Sequence, residues 1–267
     1  IQGCALIGGY FGAVVELHRF EDAGSGFKTS QLPKLMTSSN NAFRPVDVSV
    51  GPDGALYLAD WYNPIIGHYQ ASYADPRRDK THGRIWRITS KQHQSIVQPD
   101  LASMTPSELL DQLRSPERWT RYQAKRLLFD LPSDSVLSAA DNWVARTNNE
   151  RQLLDVTGVF EAHDAPRLGL LKRLLQAEDP RVRAYGARVA GMWATRLPEG
   201  LDLLHQSVAD ENPRVRLESV VAATYLPKAE SVKIVVGALD HTRDPFLDYA
   251  IRTSARALQP YWAEAFA

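Results

Sequence analysis

The sequence contains a single cysteine, Cys4, among its 267 residues. One cysteine excludes an internal disulfide and a cysteine-based zinc site, and no Cys-x-x-Cys-His motif is present for covalent haem attachment. No run of about 18 apolar residues occurs, so the sequence predicts no membrane-spanning helix. The 31 Lys and Arg residues balance the 31 Asp and Glu residues. This zero net charge argues against a nucleic-acid partner, whose phosphates a binding protein neutralises.

The opening segment lacks a basic region followed by a compact apolar block, which is the pattern of a signal peptide. The chain starts at Ile1 rather than at methionine, and its first residues are typical of a strand already under way. We therefore expect the chain to begin inside a domain.

Residues 1–90 predict β structure, because short apolar and aromatic runs alternate with turn residues. Residues 51–54, Gly-Pro-Asp-Gly, are typical of a turn. Glycine accepts a positive φ, proline fixes φ in advance, and aspartate hydrogen-bonds to its own backbone. The predicted strands are Cys4–Phe11, Ala13–Phe20, Val46–Val50, Ala55–Asp60 and Gly83–Thr89. Short strands at short spacing indicate a sandwich, a barrel or a propeller.

Residues 91–104 are polar and predict a linker, and residues 105–267 predict a HEAT-type α-solenoid of about five helical pairs. The motif that starts at Asp179-Pro180 returns 33 residues later at Asn212-Pro213, and 32 residues after that at Asp244-Pro245. Asp or Asn caps a helix, and Pro occupies the first position, where no N–H is needed. A two-helix unit repeated at this period is typical of stacked solenoid repeats.

Arginines recur in these repeats together with acidic residues, and this pattern predicts ion pairs between neighbouring repeats. The arginines concerned are Arg181, Arg183, Arg188, Arg214 and Arg216.

Four segments carry a resemblance to a known family: FRPVD (43–47), GPDGALY (51–57), DWYNPIIGH (60–68) and DPRRDKTHGRIWRI (75–88). They resemble the last part of the β-propeller in the planctomycete-type "membrane-bound dehydrogenases". That propeller is similar to quinoprotein glucose/sorbosone dehydrogenases, and HEAT repeats follow it. The resemblance implies a partial β-propeller of about one and a half blades followed by the solenoid. The remaining blades would come from an upstream segment or from another chain.

For function, the resemblance implies part of a periplasmic or otherwise extracytoplasmic dehydrogenase. Such an enzyme would oxidise a sugar or alcohol at a propeller-bound quinone-like cofactor and pass electrons to a cytochrome c domain or protein. The implied cofactors of the intact protein are pyrroloquinoline quinone and Ca²⁺. The alternative is a non-catalytic HEAT-repeat scaffold or docking module in a larger assembly.

Arg44 is the main candidate for cofactor contact, because an arginine in a comparable stretch of similar quinoprotein dehydrogenases holds the carboxylates of the quinone. A guanidinium group offers paired donors and keeps its charge. The family's second basic residue, two positions earlier, is replaced here by Ala42. The alternative is a structural arginine that bonds loop carbonyls.

Asp60, Asn63 and His68 follow one predicted strand closely, and propeller ligands bind at loops of this kind. The oxygen atoms of Asp60 and Asn63 suit Ca²⁺, and His68 suits a base or a metal ligand. The alternative is a polar turn fixed by Pro64. The charged loop 70–82 suits a rim that meets substrate or partner, or a solvated insertion. The sequence identifies no catalytic base.

Overall fold

The computed structural model describes residues 3–67, 72–92 and 94–265. The chain folds into two compact units. The first, here called the sheet unit, comprises Ile1–Glu21, Lys28–Asp100 and Pro116–Thr120. The second, the helical unit, comprises Asp22–Phe27, Leu101–Ser115 and Arg121–Ala267. The predicted order of β structure followed by helices is confirmed.

Two three-stranded sheets form from strands that are consecutive in sequence. The strands are β1 (Cys4–Gly9), β2 (Val14–Ala23), β3 (Gly26–Thr37), β4 (Pro45–Val50), β5 (Leu56–Asp60) and β6 (Arg84–Ile88). Their orders are β1-β2-β3 and β4-β5-β6. β1 runs antiparallel to β2, and β5 runs antiparallel to both β4 and β6.

The core of the sheet unit is formed by Val15, Phe43 and Leu58, which are fully buried. A close approach of β1 to β4 depends on Gly8, because a Cβ there would lie 2.7 Å from the carbonyl oxygen of Pro45. The two sheets therefore pack against each other through small and apolar residues.

β3 was not predicted, and its composition explains why. Most of its residues are exposed, so it lacks the apolar alternation that marks a half-buried strand. It also contains Pro33, which the sequence rules confine to edge strands and bulges. β3 lies at the edge of its sheet, where both features are tolerated.

The helices follow the strands along the chain, as the sequence predicts. They are α1 (Pro106–Asp111), α2 (Arg118–Asp130), α3 (Ser133–Val144), α4 (Glu150–Ala162), α5 (Leu168–Leu175), α6 (Pro180–Trp193), α7 (Gly200–Ser207), α8 (Pro213–Ala222), α9 (Ser231–Gly237) and α10 (Pro245–Trp262), with short 3₁₀ turns between some of them. α6 packs on α4 and α8, and α8 packs on α10. α5, α7 and α9 pack against the same series of helices.

The repeated caps are present as predicted. The side chains of Asp179, Asn212 and Asp244 accept backbone N–H groups two residues ahead, at 2.8, 2.9 and 2.9 Å. A proline follows each cap at the first helical position. The motif therefore sets where α6, α8 and α10 begin.

Ion pairs between repeats are confirmed for two of the predicted arginines. Arg183 holds Asp210 with two hydrogen bonds of 2.7 and 3.0 Å, and Arg188 pairs with Glu218 at 3.2 Å. The other three behave differently. Arg181 pairs with Asp179 in its own repeat, Arg214 pairs with Glu218 in its own helix, and Arg216 donates to loop carbonyls.

Candidate functional site

A buried carboxylate, Asp60 at the end of β5, is the centre of the candidate site in the sheet unit. Its Oδ1 accepts the backbone N–H groups of Arg44 at 2.8 Å and Tyr62 at 3.0 Å. Its Oδ2 accepts Nε of Arg84 at 2.7 Å and Nε1 of Trp86 at 3.0 Å. Burial alone would raise the pKa of Asp60, but these hydrogen bonds outweigh it and the pKa lies below its usual value. Asp60 is therefore a buried, negatively charged group that holds four hydrogen-bond donors around it.

Arg44 is 5 % exposed and lies directly before β4. Its Nη1 donates to the carbonyl oxygen of Phe43 at 3.0 Å, which is a contact of the kind that the structural alternative describes. Its Nε is buried and has no hydrogen-bond partner among the described residues. Burial lowers the pKa of Arg44, and the charge of Asp60 opposes that effect. A buried donor without an acceptor is costly, so this atom calls for an explanation.

Arg84 was not singled out by the sequence, yet it shares this site. Its guanidinium group lies 3.9 Å from the centre of the Tyr62 ring and 5.2 Å from that of Trp86. Its Nη2 is also buried without a partner among the described residues. The signal was available, since Arg84, Trp86 and Ile88 alternate along β6 and share one face. Ile85, on the other face, is exposed.

Asn63 is buried, and its contacts are those of a polar turn. Its Oδ1 accepts the backbone N–H of Ile65 at 3.1 Å, and its Nδ2 donates to the carbonyl oxygen of Asp79 at 3.2 Å. Ca²⁺ takes six to eight oxygen ligands. Each oxygen of Asp60 already accepts two donors, so Asp60 and Asn63 as arranged do not fit a calcium ion. Among the residues that the structure describes, no cluster of three or more His, Cys, Asp or Glu could hold a metal. His68 lies outside the described residues.

The charged loop beside this site lines an open cleft of about 630 Å³ together with residues 40–42. Asp79 accepts the backbone N–H groups of Thr81 and His82, each at 3.0 Å, and these bonds help to lower its pKa to about 2. Nδ1 of His82 lies 2.9 Å from the same carboxylate. The internal pairs show how this solvated loop holds its shape.

Two family models match parts of the chain. Residues 1–92 match a family described as a domain of unknown function (DUF7133). Residues 168–256 match HEAT repeats. No curated protein matches the chain.

The second match spans α5 to the middle of α10, so this part of the helical unit is a HEAT-repeat array. HEAT arrays form extended binding surfaces, which suggests interaction with proteins. In the described parts of the chain, no helix combines the length and apolarity that a membrane crossing requires.

Proposed function

We propose that this chain is a protein-docking module that uses the HEAT repeats of its helical unit. The observation that carries the proposal is a set of exposed apolar side chains on α6, on α8 and just after α8. Met192, Val221 and Tyr225 are 41 %, 38 % and 54 % exposed. Exposed apolar side chains that lie together mark interaction surfaces more often than isolated ones do.

Two of these side chains, Met192 and Val221, lie beside a point where α6 and α8 are in close contact. A Cβ added at Gly191 would be 2.7 Å from the Cβ of Ala222, so the two helices nearly touch there. Met192 follows Gly191, and Val221 precedes Ala222, so both flank the crossing. The close contact of α6 with α8 thus places exposed apolar side chains of the two helices side by side.

The test is a comparison of two charged double variants in affinity purification with quantitative mass spectrometry. M192D/Y225D alters the α6–α8 surface. V236D/L239D makes matched changes at exposed apolar positions in and just after α9. We expect proteins that co-purify with the unaltered chain to be lost with the first variant and kept with the second. Circular dichroism checks that both variants fold. Equal retention by both would contradict a docking role for this surface.

A second candidate function follows from the resemblance and from Arg44. In it, the two sheets are blades of a propeller that an upstream segment or another chain completes. The intact protein would be a periplasmic quinoprotein-like dehydrogenase for a sugar or alcohol, with cytochrome c as electron acceptor. Two packed sheets of consecutive strands are compatible with neighbouring blades. One donor each of Arg44 and Arg84 has no partner among the described residues. Guanidinium donors are of the kind that would hold the carboxylates of pyrroloquinoline quinone, which would accept two electrons from the alcohol.

Quinone binding tests this candidate on the protein in its natural full length. Mass spectrometry of the purified protein detects bound quinone, and equilibrium dialysis measures the affinity for added pyrroloquinoline quinone. We expect R44Q to weaken binding by about tenfold, the effect of losing a charge-assisted hydrogen bond. R19Q, at an exposed position of β2, is the control and should bind normally. A native protein that holds no quinone and binds none would exclude this candidate.

A further inference from the structure

A pocket of about 250 Å³ lies within the helical unit, beside the N-terminal halves of α6 and α8. Pro180, Ala184 and Phe27 supply apolar surface to it, and Phe27 belongs to the segment Asp22–Phe27 of the same unit. Three guanidinium groups also line it, those of Arg181, Arg188 and Arg214. The pocket is large enough for one or two side chains and combines an apolar lining with cations.

On one side of the pocket, positive charges outnumber negative ones. Arg188 and Arg214 both pair with one buried carboxylate, that of Glu218, at 3.2 and 3.0 Å. Two guanidinium groups on one carboxylate leave one positive charge uncompensated at this point. Arg188 uses Nε and Nη2 for Glu218, and its Nη1 has no hydrogen-bond partner among the described residues. Its side chain is 53 % exposed.

The other side of the pocket has one cation and two anions nearby. Arg181 already pairs with Asp179 at 2.6 Å, and Asp22 is also close enough to interact with its charge. An incoming anion would therefore be held on the Arg188 side. The aromatic ring of Phe27 lies 4.7 Å from the guanidinium group of Arg214 and offers a neighbouring apolar contact.

We propose that this pocket binds an acidic segment of a partner protein, in which a carboxylate stands next to an apolar side chain. The carboxylate pairs with Arg188, and the apolar side chain packs against Phe27 and Ala184. The inference rests on the docking function proposed above, and it adds the chemistry of the partner. Arginine favours this role because its donors match a carboxylate and its charge persists at all physiological pH values.

The test uses fluorescein-labelled octapeptides of alternating glutamate and leucine. Matched peptides carry glutamine or lysine in place of every glutamate. Fluorescence anisotropy with the whole chain should show binding of the glutamate peptide, about tenfold weaker binding of the glutamine peptide, and none of the lysine peptide. Raising the salt concentration from about 50 mM to about 500 mM should weaken the binding of the glutamate peptide, because salt screens exposed charges.

Two variants locate the binding site. R188Q should lower the affinity for the glutamate peptide by about tenfold and leave the affinity for the glutamine peptide unchanged. R256Q, at an exposed position of α10 outside the pocket, is the control.

The inference is overturned if no peptide binds, if the glutamate and glutamine peptides bind equally, or if R188Q has no effect. The docking function is still supported in that case if M192D/Y225D loses the co-purifying proteins. If M192D/Y225D keeps them, the docking function is contradicted as well.

Discussion

At the scale of single residues, Asp60 shows that a carboxylate at the end of a strand need not bind a metal ion. The sequence places Asp60 and Asn63 together after a strand, and that position suits either a metal site or a polar turn. The choice depends on the donors that surround them. Two of these, Arg84 and Trp86, come from β6, which is distant in sequence and pairs with β5. Local spacing could predict the pair of residues, but not the donors that occupy their oxygens.

Asp60 is expected to stabilise the sheet unit strongly. D60N removes the negative charge next to Arg44 and Arg84, and an amide cannot accept all four hydrogen bonds. Breaking a buried ion pair by removing one partner costs about 3–5 kcal/mol. We expect chemical denaturation to show a loss of about 3 kcal/mol in the unfolding free energy of the sheet unit. D47N, at an exposed position of β4, is the matched control and should change it little.

The same carboxylate gives a prediction on pH. The pKa of Asp60 in the folded chain is below its usual value. Its contribution to stability is therefore complete above the unfolded pKa, about 3.9, and is lost as the pH falls through the folded value. Thermal melts below about pH 4 should show a smaller acid-induced loss of stability for D60N than for the unaltered chain. Identical acid dependence would show that Asp60 keeps an ordinary pKa.

At the scale of elements, the start of each repeat was the most predictable feature. A cap residue followed by proline acts through its own backbone and needs no distant partner, so α6, α8 and α10 begin where the motif predicts. β3 was missed because its position at a sheet edge removes the alternation on which strand prediction depends. The alternation along β6 shows which face Arg84 shares, but its contact with Asp60 depends on the pairing of β6 with β5, which the sequence of β6 alone does not reveal.

Two helix glycines should respond to alanine with opposite signs. A Cβ at Gly191 would lie 2.7 Å from the Cβ of Ala222, so G191A must push α6 and α8 apart. Overpacking of this kind costs about 1–3 kcal/mol, which exceeds the gain of up to about 1 kcal/mol in helix propensity. At Gly158 in α4 nothing lies within 4 Å, so G158A gains propensity alone. Thermal melts should show a lower melting temperature for G191A and a higher one for G158A. A higher melting temperature for both would mean that α6 and α8 are not in close contact.

At the scale of the whole molecule, the balanced charge results in part from the repeats. Cross-repeat pairs such as Arg183 with Asp210 and Arg188 with Glu218 join one repeat to the next. The sequence predicted that such pairs exist, because acids and arginines recur at the repeat period. It could not assign each partner, since that depends on how far one repeat is rotated against its neighbour. Arg216, for example, donates to the carbonyl oxygen of Thr242 and has no acidic side chain among its hydrogen-bond partners in the described part of the chain.

The stacking of the repeats can be tested with one buried charge. Val182 in α6 is 3 % exposed, so V182D would place an unpaired carboxylate in the packed interior. In an array of stacked repeats each repeat is stabilised by its neighbours, so the damage should spread beyond α6. We expect circular dichroism to show loss of helix and of the cooperative melting transition. V236D makes the same change at an exposed position of α9 and should keep both. An unchanged melting temperature for V182D would mean that the face of α6 assigned to the interior is wrong.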